Sequence, residues 1–394
     1  MVDMPPIEEL VTSRKAIDAA IASIQTYAKD YQHWAISWSG GKDSTCLVIL
    51  VHYLIEQGLI PKPDTLTVLY ADTRQELIPL QESAKQITVE LKKRGIDVRV
   101  VLPELDKRFL VYMLGRGVCP PNNSTLRWCT RQIKLEPMQK ELLLLKEQIG
   151  EKFLVLTGVR IGESEARDNR INLSCSRNKA ECGQGYFQRD LPDALCDRLA
   201  PLAGAWRTCT VWDFLMVDAP RMGFNTEILA EAYGGDDRDE HSARTGCVGC
   251  PIVEKDKALE AVLALPQWAY LAPLRRLKEL YKWGKLHENR LQKVKEFRKS
   301  IQQWISGRKG PLTLEARRHM LAEVLAIQKE INQSARQLGR PEVDLLNEEE
   351  RRRIEELIAA GTFPNGWKGD EPTGEQFIHS VLPDGNTQLC LFAD

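Results

Sequence analysis

The chain opens on a helical pattern: Ile17, Ile21, Ile24 and Ala28 recur at a spacing that puts them on one face of a helix ending near Asp30. A short apolar run, Trp34–Trp38, breaks into Ser39-Gly40-Gly41, and an apolar helical stretch then extends from Asp43 to Gln57. The alternation repeats. Thr65–Tyr70 reads as a strand, Leu80–Arg94 as a helix stopped by Gly95, and Val98–Leu102 as another strand. A long helical pattern from Cys129 to Gln148 precedes a strand at Phe153–Thr157. Strands alternating with helices predict an α/β fold, a doubly wound and mostly parallel sheet covered on both faces.

The pattern fails from Arg170 to Leu199, a polar stretch with cysteines and glycines that reads as an ordered loop or small insertion. Thr210–Val217 and Thr226–Tyr233 read as short helices, and Gly234–Gly246 as a polar loop. Beyond Pro251 nearly everything is helical in pattern, punctuated by Pro266, Pro273, Gly310-Pro311 and Pro341. The expected organisation is an N-terminal helix (1–30), an α/β domain (31–250) with a Cys-rich insertion (170–199), a basic helical region (251–360) and an irregular tail (361–394).

No apolar run approaches the roughly 18 residues a membrane span needs. Met1 to Leu10 is acidic and carries Pro5-Pro6, unlike a leader, so the expectation is a cytoplasmic protein without membrane contact. The net charge of −1 hides an asymmetry: Pro273 to Arg353 holds 20 Lys/Arg against 11 Asp/Glu. That surplus suits a segment facing nucleic acid, and equally a solvated helical surface. Ten cysteines in a reducing compartment point to metal binding or chemistry rather than disulfides. Cys46, inside an apolar helix pattern, and Cys390, in the tail, read as ordinary residues.

The chemistry concentrates where strands end. Ser39-Gly40-Gly41-Lys42-Asp43-Ser44-Thr45 takes a strand through two glycines into a helix. The glycines allow close approach of a polyphosphate, and the helix N-terminus offers unpaired N–H groups. Ser39, Ser44 and Thr45 add hydroxyls and Lys42 adds charge; Asp43 after the lysine excludes a Walker A loop. A second strand ends in Asp72-Thr73, placed to touch a nucleoside. A further strand ends in Gly158-Val159-Arg160, followed by Glu163 and Arg167, a set able to clamp an oxyanion.

The loop resembles the PP-loop of the adenine-nucleotide α-hydrolases, which cleave ATP to AMP and pyrophosphate. With Asp72-Thr73 and Gly158-x-Arg160-x-x-Glu163-Ser164 it resembles the phosphoadenosine-phosphosulfate (PAPS) reductase family. That resemblance implies a HUP-like nucleotide-binding fold, ATP with Mg²⁺, and catalytic roles for Lys42, Asp43 and Arg160. Arg127-Trp128-Cys129 and Cys247-Val248-Gly249-Cys250-Pro251 sit where iron–sulfur members carry cluster ligands. They imply a 4Fe–4S cluster on Cys129, Cys247 and Cys250, with zinc on four cysteines as the alternative. Trp128 stands where those members have a cysteine, which leaves the fourth ligand open: Cys182 is the first choice, and Cys119, Cys175 and Cys209 are the others. Cys182 reads equally as a sulfur-carrying nucleophile.

From Cys250-Pro251 through Gly310-Pro311-Leu312-Thr313-Leu314-Glu315-Ala316-Arg317 the chain looks like the ATP pyrophosphatases of bacterial DNA phosphorothioation, DndC and SspD. This implies adenylation of a DNA backbone phosphate and sulfur insertion, with DNA, a cysteine desulfurase, other subunits of the system and a possible second copy of the chain as partners. A sulfonucleotide reductase and a tRNA-thiolation enzyme are the alternatives.

Overall fold

The computed structural model describes residues 4–123, 126–162, 165, 168–169, 171, 181, 185–189, 196–234, 246–293, 296–298, 303–305, 308–373, 379–381 and 387–389. The chain forms two compact units. The first comprises Met1–Leu102, Lys134–Cys247 and Lys257–Ala269, the second Pro103–Ile133, Val248–Asp256 and Tyr270–Asp394.

The first unit is built on a six-stranded sheet. Its strands are β1 (His33–Trp38), β2 (Thr65–Ala71), β3 (Asp97–Val101), β4 (Phe153–Thr157), β5 (Tyr186–Gln188) and β6 (Cys196–Ala200), in the order β3-β2-β1-β4-β6-β5. All neighbours are parallel except β5, which pairs antiparallel with β6. The central strands are buried almost throughout, as a sheet covered on both faces requires. The helices are α1 (Arg14–Tyr27), α2 (Lys42–Glu56), α3 (Ile78–Lys93), α4 (Glu136–Ile149), α5 (Thr208–Asp213), α6 (Glu227–Glu231) and α7 (Lys257–Leu263). Helix α2 is apolar nearly all round, the mark of a core helix. Helix α4 packs Met138, Leu142 and Ile149 on a core of Ala35, Leu69, Val101, Leu145, Phe153, Val155 and Cys196. The doubly wound parallel sheet read from the sequence is therefore present. The N-terminal arm is tied down by the buried Asp218 carboxylate, which accepts the N–H groups of Val11 and Thr12, each at 2.9 Å.

The expected loop at 170–199 is a departure, because β5 and β6 lie in it. Strand β6 reads Cys-Asp-Arg-Leu-Ala, and its charged centre hid it from an apolar pattern. Pairing with β4 outweighs composition there, and buried Asp197 is matched by Tyr31 and by Lys152 at 3.0 Å.

The second unit holds α8 (Arg275–Trp283), α9 (Leu314–Leu338) and α10 (Glu348–Ala359), so the expected C-terminal helical region is there. Thr313 caps α9, and Asn347 with Glu350 forms a capping box on α10. Nearly continuous helix beyond Pro251 is not found: β7 (Arg290–Lys293) pairs with β10 (Arg308–Leu312), and β8 (Glu296–Arg298) with β9 (Gln303–Ile305). Within β10 a side chain on Gly310 would collide with the Trp367 ring, so this backbone packs where no side chain fits. The tail expected to be irregular contains a further pair, β11 (His379–Val381) and β12 (Thr387–Leu389). Among the described residues no helix is long and apolar enough to cross a membrane.

Candidate nucleotide site

Strand order reverses between β1 and β4: the chain leaves β1 toward β2 and β3, then returns to β4 on the other side. In an open parallel sheet such a switch point opens a crevice at the carboxyl ends of the strands. The Ser39–Ser44 loop follows β1, and Gly158-Val159-Arg160 follows β4, so the topology brings these two motifs together.

The loop is folded upon itself by its serines. Ser44 Oγ donates to Gly41 O at 3.0 Å and accepts the Ser39 N–H at 3.2 Å, while the Ser39 and Ser44 hydroxyls lie 3.1 Å apart. Ser39 is exposed. Gly40 takes φ +74°, a left-handed turn that favours glycine, and Gly41 caps the start of α2. Thr45 was expected to face a ligand. In the fold its hydroxyl is buried and accepts from the Trp38 indole at 2.9 Å, which ties the start of α2 to the end of β1.

Asp43 is the pivot of the charges. Its Oδ2 meets Lys42 Nζ at 3.0 Å and its Oδ1 accepts from Arg160 Nε at 2.8 Å. Lys42 and Arg160 are each 2% exposed. Arg160 also donates to Thr208 Oγ1 at 3.0 Å and to Trp206 O at 3.4 Å. Two cations around one carboxylate leave a net positive charge at the first turn of a long helix, a setting that attracts polyphosphate. Gly158 makes the approach possible. A Cβ there would lie 2.7 Å from Ser44 N and Cα, so only glycine lets the end of β4 pack against the start of α2.

At the end of β2, Asp72 Oδ1 accepts the Arg74 N–H at 2.8 Å, and Arg74 itself takes φ +62°. Thr73 turns inward: its N–H donates to Glu76 Oε2 at 3.2 Å and its hydroxyl to Glu76 Oε1. Burial raises the Glu76 carboxyl above the ordinary carboxylate value. Thr73 therefore buttresses the turn and leaves Asp72 as the polar group at the strand end.

Sequence reasoning missed Tyr233 and Glu76. The Tyr233 hydroxyl accepts the Lys42 backbone N–H at 3.1 Å, and Lys42 Nζ lies 5.2 Å from its ring centroid. Tyr233 reads in sequence as the last apolar residue of a short helix, and no local signal ties it to a loop 191 residues earlier.

Glu163, Arg167, Cys175 and Cys182 lie outside the described residues. Cys247, in the first unit, forms a bridge with Glu76. In the second unit burial pushes the Cys129 thiol up, with Cys250 as a neighbouring thiol, and buried Cys119 accepts the Trp128 indole on its carbonyl at 3.1 Å. Cys209 is exposed on α5, and Cys46 is buried in α2 as expected. Among the described residues no three His, Cys, Asp or Glu side chains are gathered to hold a metal ion. The thiols described therefore do not by themselves make a cluster or zinc site.

Residues 33–219 match the phosphoadenosine phosphosulfate reductase domain. A comparison with curated proteins gives no match. Solved structures that resemble the chain include a PAPS reductase from Candida auris in a phosphate complex, 11% identical, over 53% of this chain and 89% of that one, with a TM-score of 0.34. A tRNA thiolase from Methanococcus maripaludis with its 4Fe–4S cluster is 15% identical over 68% and 79%, with a TM-score of 0.36. A Candida glabrata FMN adenylyltransferase with FMN and an ATP analogue is 15% identical over 52% and 55%, with a TM-score of 0.30. Over residues 33–219, a little under half of the chain, the sequence is thus similar to the phosphoadenosine phosphosulfate reductase domain.

Proposed function

We propose that the protein cleaves ATP to AMP and pyrophosphate and uses the AMP to activate a phosphate oxygen for sulfur insertion. The observation that carries this reading is the Lys42–Asp43–Arg160 arrangement at the first turn of α2, beside the exposed Ser39. An oxyanion attacks the α-phosphorus, the bond to the β-phosphate oxygen breaks, and charge grows on the departing pyrophosphate. The α2 N-terminus, Lys42 and the Ser39 hydroxyl bind that charge, and Arg160 holds Asp43 so that Lys42 stays at the loop. Mg²⁺, when bound, would supply further neutralisation of phosphate charge. Both Asp43 oxygens are engaged by cations, which makes Asp72 the better candidate to hold the ion.

For the acceptor we propose a DNA backbone phosphate. The reading rests on the likeness of the C-terminal stretch to DNA phosphorothioation enzymes and on the basic balance from Pro273 to Arg353. Adenylation turns a nonbridging oxygen into part of a leaving group; a sulfur nucleophile then forms the P–S bond as AMP departs with that oxygen. A cysteine desulfurase would supply the sulfur. Incubation with ATP and analysis of the products tests the first step: AMP and pyrophosphate are expected, reduced by Ser39→Ala, and accumulation of ADP overturns the assignment. The family of the 33–219 domain favours a second reading, a sulfonucleotide reductase. Sulfite release from PAPS with thioredoxin would establish that one instead.

A further inference from the structure

The loop has a group that its motif does not contain. Tyr233 follows α6, and its hydroxyl oxygen sits on the first turn of α2, 3.1 Å from the Lys42 N–H. A Cβ on Gly41 would lie 3.2 Å from the same oxygen, so the phenol reaches the spot where the loop backbone is barest. The first N–H groups of a helix lack intrahelical partners and are what a bound anion meets.

The ring is held rather than loosely placed. Trp212 packs edge-on against it, with centroids 5.3 Å apart. Glu231, two residues earlier, accepts from Gln267 Nε2 at 2.6 Å and Trp268 Nε1 at 2.7 Å, which fixes the end of α6. Lys42 Nζ lies against the ring face, so one side chain touches both the backbone and the cation of the loop.

We propose that Tyr233 is a pyrophosphate-binding residue of this site, an inference that rests on the ATP reading above. By accepting the Lys42 N–H the phenol is polarised, and in the bound state it donates its own proton to a phosphate oxygen. The hydroxyl thereby carries the helix's donor one atom further out, to a phosphate oxygen that the backbone does not reach. Preorganisation by Trp212 and Glu231 means that little ordering is left to the binding step.

Calorimetric titration of the full chain with inorganic pyrophosphate, ATP and AMP tests this. Tyr233→Phe keeps the ring on Lys42 and removes only the hydroxyl. A hydrogen bond to a charged ligand is lost, so affinity for pyrophosphate and ATP should fall about tenfold or more, with AMP little affected. Unchanged or tighter pyrophosphate binding overturns the proposal, tighter binding meaning that the hydroxyl competes with phosphate for the Lys42 N–H. If Tyr233→Phe folds poorly, 3-fluorotyrosine at position 233 serves instead. It acidifies the phenol without changing its shape, so pyrophosphate affinity should be lost at a lower pH than in the wild type, and an unmoved profile overturns the proposal. Ser39→Ala separates the two readings. If Ser39→Ala loses pyrophosphate and Tyr233→Phe does not, Tyr233 alone is excluded; if the wild type binds neither pyrophosphate nor ATP, both readings fall.

Discussion

Arg160 Nε donates to Asp43 Oδ1 at 2.8 Å across 117 residues of sequence, joining the turn after β4 to the loop after β1. Asp43→Asn keeps the shape and removes the charge, leaving buried Lys42 and Arg160 without their counter-ion. Breaking a buried pair in this way costs about 3–5 kcal/mol. Urea unfolding should show that loss together with abolished ATP turnover. Adding Arg160→Met should restore stability in part and turnover not at all; recovery of turnover would remove Arg160 from the machinery.

Gly158→Ala places a methyl against the backbone of Ser44, and backbone cannot give way as a flexible side chain does. Overpacking of this kind costs about 1–3 kcal/mol and should push the start of α2 out of register with the loop. ATP affinity should fall with stability. Gly204→Ala is the control, since a Cβ there meets nothing within 4 Å and its φ is −87°.

Glu76 links pH to the stability of the turn at Thr73. Its carboxyl is raised by burial, so between its ordinary and its raised value the folded chain binds more protons than the unfolded one. Stability contributed by this group is then full below the ordinary carboxylate value and is lost as pH rises toward the raised one. Glu76→Gln should flatten the fall in thermal midpoint over that window. An identical slope in wild type and variant would remove Glu76 as its source.

The basic C-terminal residues divide into structural and surface sets. Arg317 is fully buried and donates to Leu114 O at 2.7 Å, Thr362 O at 2.8 Å and Gly115 O. Lys278 is buried as well, while exposed Arg276 pairs with Glu330 at 2.6 Å. Arg317→Ala should therefore destabilise the second unit whatever its role in binding. Removing exposed Arg275, Arg318 and Arg340 together should weaken DNA binding evenly across sequences. The salt dependence should flatten by about 0.9 log–log units for each duplex phosphate that the variant no longer neutralises. Unchanged affinity and slope would assign these charges to solubility.

Cys129 and Cys250 are neighbours in the second unit. If they hold iron, anaerobic protein should contain iron and sulfide, and Cys129→Ser and Cys250→Ser should each lower both. Buried Cys46→Ser should not. Stoichiometric zinc without iron would replace the cluster with a structural metal.

The alternating pattern was enough to read β1 to β4 and α2 to α4, because buried strands and core helices leave a periodicity that needs no knowledge of their neighbours. The loop's internal bonding is equally local: strand, glycines and helix start are contiguous, so Ser39, Gly41 and Ser44 meet without distant partners. Strand β6 was illegible because pairing with β4, and the partners of Asp197, stabilise a segment whose own composition is polar. The strands between Arg290 and Leu312 were hidden for the same reason. Thr45 and Thr73 were recognised as motif residues, but which way a hydroxyl points depends on Trp38 and Glu76, and no pattern of spacing encodes that. Tyr233 is the extreme case. Its identity is ordinary, and only the packing of α6 beside Trp212, Gln267 and Trp268 brings its hydroxyl to the Lys42 N–H. Local chemistry is written in contiguous residues, whereas an interaction between distant ones exists only once the chain has folded.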